Sequence, residues 1–191
     1  PETQVIGVEY EESASLAAAM AAGRRVKLKQ VGIFADGIAV AQVGKHTWPL
    51  MKQYVDGVIT VSSDEICAAV KDIFDDTRVI AEPAGAVSVA GMKKYVADKQ
   101  CRGQTLITIS TGANANFDRL RYVTERAEVG EQREAILAVT IPERQGAFKK
   151  FVRVLGKRLI TEFNYRRDDA DSARIFLGIK IANREEREQI L

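Results

Sequence analysis

Residues 107–117, which read ITISTGANANF, decide the fold that this sequence predicts. The first four alternate isoleucine with small hydroxyl residues and are typical of a strand, and the next seven form a turn rich in hydroxyl and amide groups. In open α/β sheets, a polar turn at the carboxyl end of a strand is where ligands bind. Such turns also occur without any ligand, so the turn alone leaves both interpretations open.

Strands and helices alternate upstream of this turn. Runs rich in β-branched residues predict strands over residues 4–9, 57–61 and 104–110. Helical patterns lie at residues 13–22, at 47–55, from Ser62 onward and at 82–96. Ser62 and Glu65 have the spacing of a capping box. Strands separated by helices predict an α/β fold with a mainly parallel, open sheet and helices on both of its faces.

The pattern changes after residue 120. Residues 121–134 are charged and predict a helical connector between two regions. Beyond it, the pattern predicts a strand at 135–141, a helix beginning near Gly146, strands at 159–165 and 173–181, and a helix from Arg184. The sequence therefore divides into residues 1–120, a connector at 121–134, and an α+β region at 135–191.

The composition excludes several classes of partner. The 191 residues include 28 Lys and Arg against 26 Asp and Glu, a net charge of +2 with the signs interspersed, so neither nucleic acid nor a membrane surface is expected as a partner. No apolar run has the length of a membrane span. Cys67 and Cys101 are typical of free thiols in a reducing compartment. We expect a cytoplasmic protein, and the sequence leaves open an organellar targeting segment upstream.

Three further stretches match, in the same order, segments of the pyridoxal-phosphate-dependent threonine and serine dehydratases. They are residues 5–9 (VIGVE), 34–40 (FADGIAV) and 81–86 (AEPAGA). The turn at 111–114 resembles that family's cofactor turn, in which a serine or threonine stands before Gly-x-Asn. Residues 130–143 (GEQREAILAVTIPE) continue as in the long biosynthetic threonine dehydratases, which append a regulatory domain. The resemblance spans nearly the whole chain.

This resemblance implies a fold and an activity. Residues 1–120 would form the later part of a catalytic domain with an incomplete open sheet like that of the tryptophan synthase β-subunit. Residues 135–191 would begin an ACT-like regulatory domain, also incomplete. The implied cofactor is pyridoxal 5'-phosphate, and the implied reaction converts L-threonine to 2-oxobutanoate and ammonia, the first step of isoleucine biosynthesis. Isoleucine inhibits the enzymes of this family, valine antagonises it, and they work as homotetramers.

The family's cofactor-binding positions fall on four residues here. By resemblance, Thr111 donates a hydrogen bond to the pyridine nitrogen, and a hydroxyl leaves that nitrogen unprotonated. Gly37 matches a glycine that packs beside the cofactor ring. Glu82 begins a helix near the ring, where the helix dipole stabilises a carboxylate. Asn114 orients the turn or binds the ring substituents. Each also has an ordinary explanation as a turn, helix-start or surface residue.

A metal site is not assigned. Glu9, Ser13 and Ser15 match positions that hold a cation in related serine-processing enzymes. The third position is acidic there, and a serine weakens a divalent site because hard cations favour carboxylate oxygens. The single histidine, His46, makes a histidine-based triad or a multi-histidine metal site untenable.

Candidate effector-binding residues lie in the second region. Phe163, Asn164 and Tyr165 close its second predicted strand and could line an amino-acid pocket. A tyrosine on an alternating strand is also an ordinary core residue, and this alternative stays open.

The family's Schiff-base lysine and its glycine-rich phosphate loop both lie upstream of the VIGVE strand, and this chain begins at Pro1. We therefore predict a fragment with no catalytic residue of its own, inactive alone. Two other functions stay open. One is a non-enzymatic amino-acid-sensing module with all its ligand chemistry after residue 130. The other is a dehydratase acting mainly on serine, because the family's substrate-contacting loop also lies upstream.

Overall fold

A computed structural model describes residues 3–116, 118–131, 133–167 and 171–190. The chain divides into two compact units, residues 1–130 and residues 131–191. None of the helices in these ranges is both long enough and apolar enough to cross a membrane. Phe117, the last residue of the turn motif, lies outside the described residues.

The first unit is built around a short parallel sheet. β1 (Ile6–Tyr10) pairs with β2 (Gly57–Val61) in register, with Ile6 opposite Gly57 and Tyr10 opposite Val61. Parallel strands need a long crossover connection, and the residues between these two supply it. That connection contains two short helices, α1 (Ser15–Ala22) and α2 (Trp48–Tyr54).

The third helix begins where the sequence predicts it. α3 (Ser63–Thr77) starts after Ser62, whose side chain accepts a hydrogen bond from the Glu65 amide at 3.2 Å. The Glu65 carboxylate in turn accepts one from the Ser62 amide at 2.7 Å. Both halves of the capping box are therefore present, and they satisfy two backbone donors that the first helical turn leaves unpaired.

The fourth helix covers the sheet. α4 (Pro83–Lys99) has its proline in the first turn, where no backbone donor is needed. Gly91 lies so close to Val8 of β1 that a Cβ at this position would overlap the valine side chain. The absence of a side chain at Gly91 thus allows the helix to approach β1 closely. The core shared by β1, β2, α3 and α4 is apolar and includes Val61, Ile66, Cys67, Ala69, Ala86, Val87 and Ala90.

The strand predicted over residues 104–110 is not present. This segment is extended but pairs with no strand in the part of the chain that the structure describes. Its apolar side chains point outward, with Ile107 88% exposed and Ile109 74% exposed. A parallel strand is defined by its neighbours as well as by its own residues, and β1 and β2 pair only with each other here. The prediction of a buried strand was wrong for this chain.

The charged stretch after the turn forms a packed helix. α5 (Arg119–Gly130) lies against α3, and its Val123 and Ala127 are buried in the core of the first unit. Gly130 ends the helix against the backbone of Asp64, where any Cβ would overlap the Asp64 carbonyl group. Much of the segment predicted as a connector, residues 121–134, is therefore part of the first unit.

The second unit is a three-stranded antiparallel sheet with helices. Its elements are β3 (Glu134–Pro142), α6 (Ala147–Leu155), β4 (Ile160–Arg167), β5 (Ser172–Lys180) and α7 (Arg184–Ile190). The strand order is β3-β5-β4, which places the last strand in the middle. Alternate β5 residues are buried, and Phe151 and Leu155 of α6 belong to the same apolar cluster. The βαββα pattern predicted from the sequence is confirmed.

Burial makes Cys67 chemically inert. It is fully buried in the first unit, and desolvation, reinforced by the nearby Asp64 charge, raises the pKa of its thiol to about 12. The ordinary thiol pKa is 9.0, so the native state holds this proton more tightly than the unfolded chain does. The resulting contribution to stability is complete below pH 9 and is lost as the pH rises toward 12.

We expect iodoacetamide at about pH 8 to modify the half-buried Cys101 in the folded chain and to leave Cys67 unmodified until denaturant is added, because the thiolate is the reactive form. Mass spectrometry of tryptic peptides measures both sites, and a Cys101→Ser variant isolates Cys67. Alkylation of Cys67 in the native chain as fast as in denaturant would contradict the buried placement.

Candidate functional site

The turn that carries Thr111 is held by the first turns of α4. The Gly112 carbonyl accepts a hydrogen bond from the Glu82 amide at 3.2 Å, and the Ile109 carbonyl accepts one from the Ser88 hydroxyl at 2.8 Å. Between them, the Thr111 carbonyl lies directly against Gly85, where a Cβ would overlap it. The helix therefore supplies the contacts that fix the Thr111 segment.

Two other predicted site residues meet at this place. Gly112 has a φ of +81°, a left-handed conformation that favours glycine, and a Cβ there would overlap the Glu82 carboxylate. Gly37 also lies beside Glu82. A Cβ on Gly37 would be 3.0 Å from the Ala84 Cβ and 3.8 Å from Glu82 Oε1. The structure thus brings Gly37, Glu82 and the Thr111 turn together, although the three are far apart in sequence.

Asn114 lines a cleft next to this cluster. The cleft has a volume of about 410 Å³ and is bounded by residues from the 36–38 segment, α3, α4, the turn and α5. Its lining residues include Asp36, Val70, Pro83, Asn114, Asn116 and Leu120. The wall offers both polar and apolar groups, which suits an organic ligand with both kinds of surface.

Polar side chains at the site are free to bind a ligand. Within the described ranges, the Thr111 hydroxyl, the Glu82 carboxylate and the Asn114 amide make no side-chain hydrogen bond. Thr111 and Asn114 are exposed, and Glu82 is half-buried at the N-cap of α4. A hydroxyl donor, a carboxylate and an amide around a glycine-lined surface can bind a flat polar ring while the glycines allow close approach.

The residues at the predicted cation positions have other roles in this fold. The Glu9 carboxylate accepts hydrogen bonds from the Leu16 and Ala17 amides, each at 2.8 Å, and so caps α1. Ser13 and Ser15 are buried near the same helix start. In the described part of the chain, no group of three or more His, Cys, Asp and Glu side chains has a metal-binding arrangement.

The three candidate effector residues do not share one surface. Phe163 and Tyr165 lie on the same face of β4, and Phe148 of α6 contacts both rings, with centroids 5.9 and 6.0 Å away. Asn164 alternates to the other face, where it is paired with Phe176. A single pocket lined by all three residues, as the sequence suggested, is therefore not formed, because neighbouring residues of a strand point in opposite directions.

The sequence interpretation missed Gly85 and Ser88. Both fix the Thr111 turn, but their partners are backbone atoms of a distant segment, so no local pattern in α4 indicates them. A small residue in the first turn of the helix, within the AEPAGA stretch, is the one signal that could have indicated close backbone approach.

Comparison with known proteins agrees with this arrangement. Residues 1–112 match the family model described as pyridoxal-phosphate dependent enzyme. Residues 125–191 match the C-terminal regulatory domain of threonine dehydratase. The two matches together bear out the predicted fold class: an open α/β catalytic sheet of the pyridoxal-phosphate β-family followed by an α+β regulatory domain.

Individual relatives carry the same relationship. The chain is 55% identical over 186 residues to the biosynthetic L-threonine dehydratase of Burkholderia multivorans, covering 97% of this chain and 37% of that protein. It is 55% identical over 192 residues to the Escherichia coli protein of the same name, with all of this chain and 37% of that protein covered. The chain therefore spans little more than a third of the curated relatives it matches.

Solved structures give the same result. Threonine deaminase isoform 2 of Solanum lycopersicum, in its processed form, matches with a TM-score of 0.65 and 42% identity over 66% of this chain and 37% of that one. A second threonine deaminase, from the organism abbreviated T.th., matches with a TM-score of 0.56 and 32% identity, covering 61% of this chain and 39% of that one.

A side chain at Gly85 should displace the Thr111 turn. We expect Gly85→Ala to lower the free energy of unfolding by about 1–3 kcal/mol, the usual cost of overpacking. It should also speed proteolytic cleavage within residues 104–116. Urea unfolding and limited proteolysis measure the two effects. Gly57→Ala is the matched control, because its Cβ would meet only Ile6 Cδ1 at 3.5 Å. Equal stability of both variants would show that α4 does not hold the turn.

Proposed function

Because the chain belongs to the family of pyridoxal-phosphate-dependent enzymes, we propose that the complete protein is an L-threonine ammonia-lyase. Its reaction converts L-threonine to 2-oxobutanoate and ammonia, the first step of isoleucine biosynthesis. The observation that carries this proposal is the convergence of Gly37, Glu82 and the Thr111 turn in a chain that is 55% identical to biosynthetic threonine dehydratases. L-serine is a second candidate substrate.

The residues at the site fit pyridoxal phosphate. Gly37, Gly85 and Gly112 leave space where side chains would intrude, and an unpartnered hydroxyl, carboxylate and amide surround it in the described part of the chain. We propose that Thr111, Gly37, Glu82 and Asn114 contact the cofactor. When bound, the cofactor supplies an electron sink that allows the substrate Cα–H bond to ionise.

Thr111 would set the strength of that electron sink. A threonine hydroxyl donates a hydrogen bond to a pyridine nitrogen without protonating it, whereas a carboxylate partner favours the protonated ring. A weaker sink suits β-elimination, because the substrate's β-hydroxyl leaves quickly and no long-lived carbanion is needed.

Glu82 and Asn114 would orient the ring. The Glu82 backbone amide already holds the turn through Gly112, and its carboxylate occupies the start of α4, where the helix dipole favours a negative charge. Asn114 presents an amide from the cleft wall, able to donate and accept hydrogen bonds. These contacts fix the cofactor relative to the turn and leave the proton transfers to groups outside residues 1–191.

We propose that the second unit regulates the first. It matches the threonine dehydratase regulatory domain, and its exposed Phe163 and Tyr165 beside Phe148 offer an apolar surface for a branched amino acid. Isoleucine as inhibitor, valine as its antagonist, a homotetramer and a cytoplasmic location complete the proposal. The free Cys67 and Cys101 agree with a reducing compartment.

A non-enzymatic amino-acid sensor is the second candidate function. It is favoured by the regulatory match at residues 125–191, which does not itself require catalysis. The two candidates differ in the first unit, because a sensor has no use for a glycine-lined, polar site there. Residues 1–191 alone are expected to form no covalent adduct with pyridoxal phosphate, and borohydride trapping followed by peptide mapping tests this.

In the complete protein, Thr111→Asp should reduce kcat for threonine by at least about tenfold and leave cofactor affinity within about threefold, because the carboxylate would protonate the ring nitrogen. Thr111→Ser keeps the hydroxyl and should be nearly silent. Steady-state kinetics and cofactor titration separate the two effects. Equal activity of all three proteins would reduce Thr111 to a turn residue and remove the main site assignment.

Ending the complete protein after Glu134 should abolish isoleucine inhibition and leave some threonine dehydration, because the first unit has its own core. Activity assays across isoleucine concentrations measure this, with circular dichroism to verify folding. Unchanged isoleucine sensitivity would place the effector site in the catalytic part and contradict the regulatory assignment of the second unit.

A further inference from the structure

We propose that Tyr122 of α5 is a positioning residue for the cofactor site, acting on Gly37 through Phe34. The proposal rests on the proposed function, because it needs Gly37 to lie beside the cofactor. It goes beyond it by naming the side chains through which the regulatory unit would influence catalysis. Displacement of α5 would then alter how closely residues 35–39 approach the cofactor.

An unbroken row of aromatic contacts joins α5 to the sheet. The Tyr122 ring lies 5.6 Å from the Phe34 ring, centroid to centroid, at an interplanar angle of 59°. Phe34 in turn lies 6.2 Å from the Tyr10 ring at 63°, an edge-to-face arrangement. Tyr10 is almost fully buried at the end of β1, so it is a fixed support for the other two rings. Aromatic pairs of this geometry attract beyond the area they bury.

The row is closed through the start of α3. The Arg126 guanidinium lies over the Tyr122 ring, 5.7 Å from its centroid, and forms an ion pair with Asp64. The residue before Asp64, Ser63, shares a 2.9 Å hydrogen bond with the Tyr10 hydroxyl. Tyr122 is therefore held between two groups, one on its own helix and one in the segment that leads to Gly37.

Phe34 is rigidly connected to Gly37. Ala35, the next residue, is fully buried in the core, and the Ala35 carbonyl accepts a hydrogen bond from the Ile38 amide at 3.0 Å. The Asp36 carbonyl accepts another from the Ala39 amide at 3.1 Å. This short helical turn places Gly37 against Ala84 and Glu82. A shift of the Phe34 ring cannot be absorbed by a flexible loop and is passed to the glycine.

The structure leaves room for α5 to move. The cleft of about 410 Å³ lies between Asp36 and the first turns of α5, where Arg119, Leu120 and Val123 form part of its wall. α5 also ends at Gly130, immediately before the second unit begins, so the chain connects that unit directly to this helix. An effector shifts such an equilibrium only by binding one arrangement more tightly than the other.

The test uses the complete protein with pyridoxal phosphate bound. Tyr122→Leu removes the ring, Phe34→Leu removes its partner, and Tyr122→Phe keeps the ring without the hydroxyl. Tyr54→Leu is the matched control, because this exposed tyrosine lies at the end of α2, away from the row. The readouts are the isoleucine concentration for half inhibition, direct isoleucine binding, and the absorption and fluorescence of the cofactor with and without isoleucine.

We expect Tyr122→Leu and Phe34→Leu to raise the half-inhibitory isoleucine concentration at least ~5-fold, a typical size for lost coupling. Isoleucine should still bind, but it should no longer change the cofactor spectrum. Tyr122→Phe and Tyr54→Leu should behave as the unaltered protein. Unchanged inhibition and an unchanged spectral response in both leucine variants would overturn the proposal, as would equal losses in Tyr54→Leu. If one leucine variant fails to fold, the other decides.

Failure of the proposed function is recognised separately. A complete, unaltered protein that binds no pyridoxal phosphate or does not deaminate threonine would refute the activity before any variant is compared. An active, isoleucine-inhibited protein whose leucine variants respond normally would refute only the role of Tyr122.

Discussion

The close backbone approach between Gly85 of α4 and Thr111 is the contact on which the site depends. The segment before Thr111 has no strand beside it in the described structure, so sheet hydrogen bonds do not fix it. Its position comes from α4, through the Glu82 amide, the Ser88 hydroxyl and the space left by Gly85. One helix thus carries both the carboxylate of the site and the supports of its hydroxyl.

The element order was predictable because its signals are local. The Ser62 and Glu65 capping box, the β-branched residues of β2 and the alternation in β5 each act within a few residues of themselves. Residues 104–110 carry an equally clear strand pattern and do not form a strand. Pairing depends on neighbours that a pattern in one segment cannot supply, so the same local signal succeeds in β2 and fails there.

The candidate site shows the same division. The meeting of Gly37, Glu82 and the Thr111 turn was expected from resemblance, and the fold explains it by steric contact of their backbones. The aromatic contacts of Phe34 with Tyr122 had no sequence signal, because neither residue stands in a periodic relation to the other. In the second unit, strand alternation was enough to predict that Asn164 would face away from its neighbours, and the sequence interpretation did not apply it.

The uncovered segment at residues 105–109 (TLITI) has a consequence for handling the chain. It combines β-branched residues, no charge and no proline, and its isoleucines are among the most exposed apolar side chains of the described residues. Extended segments of this composition are templates for intermolecular β-pairing and for aggregation. The nearest charges, Arg102 and Asp118, stand several residues away on either side. Solubility of these 191 residues therefore depends on concentration and on whatever protects that edge, independently of how stable the two units are.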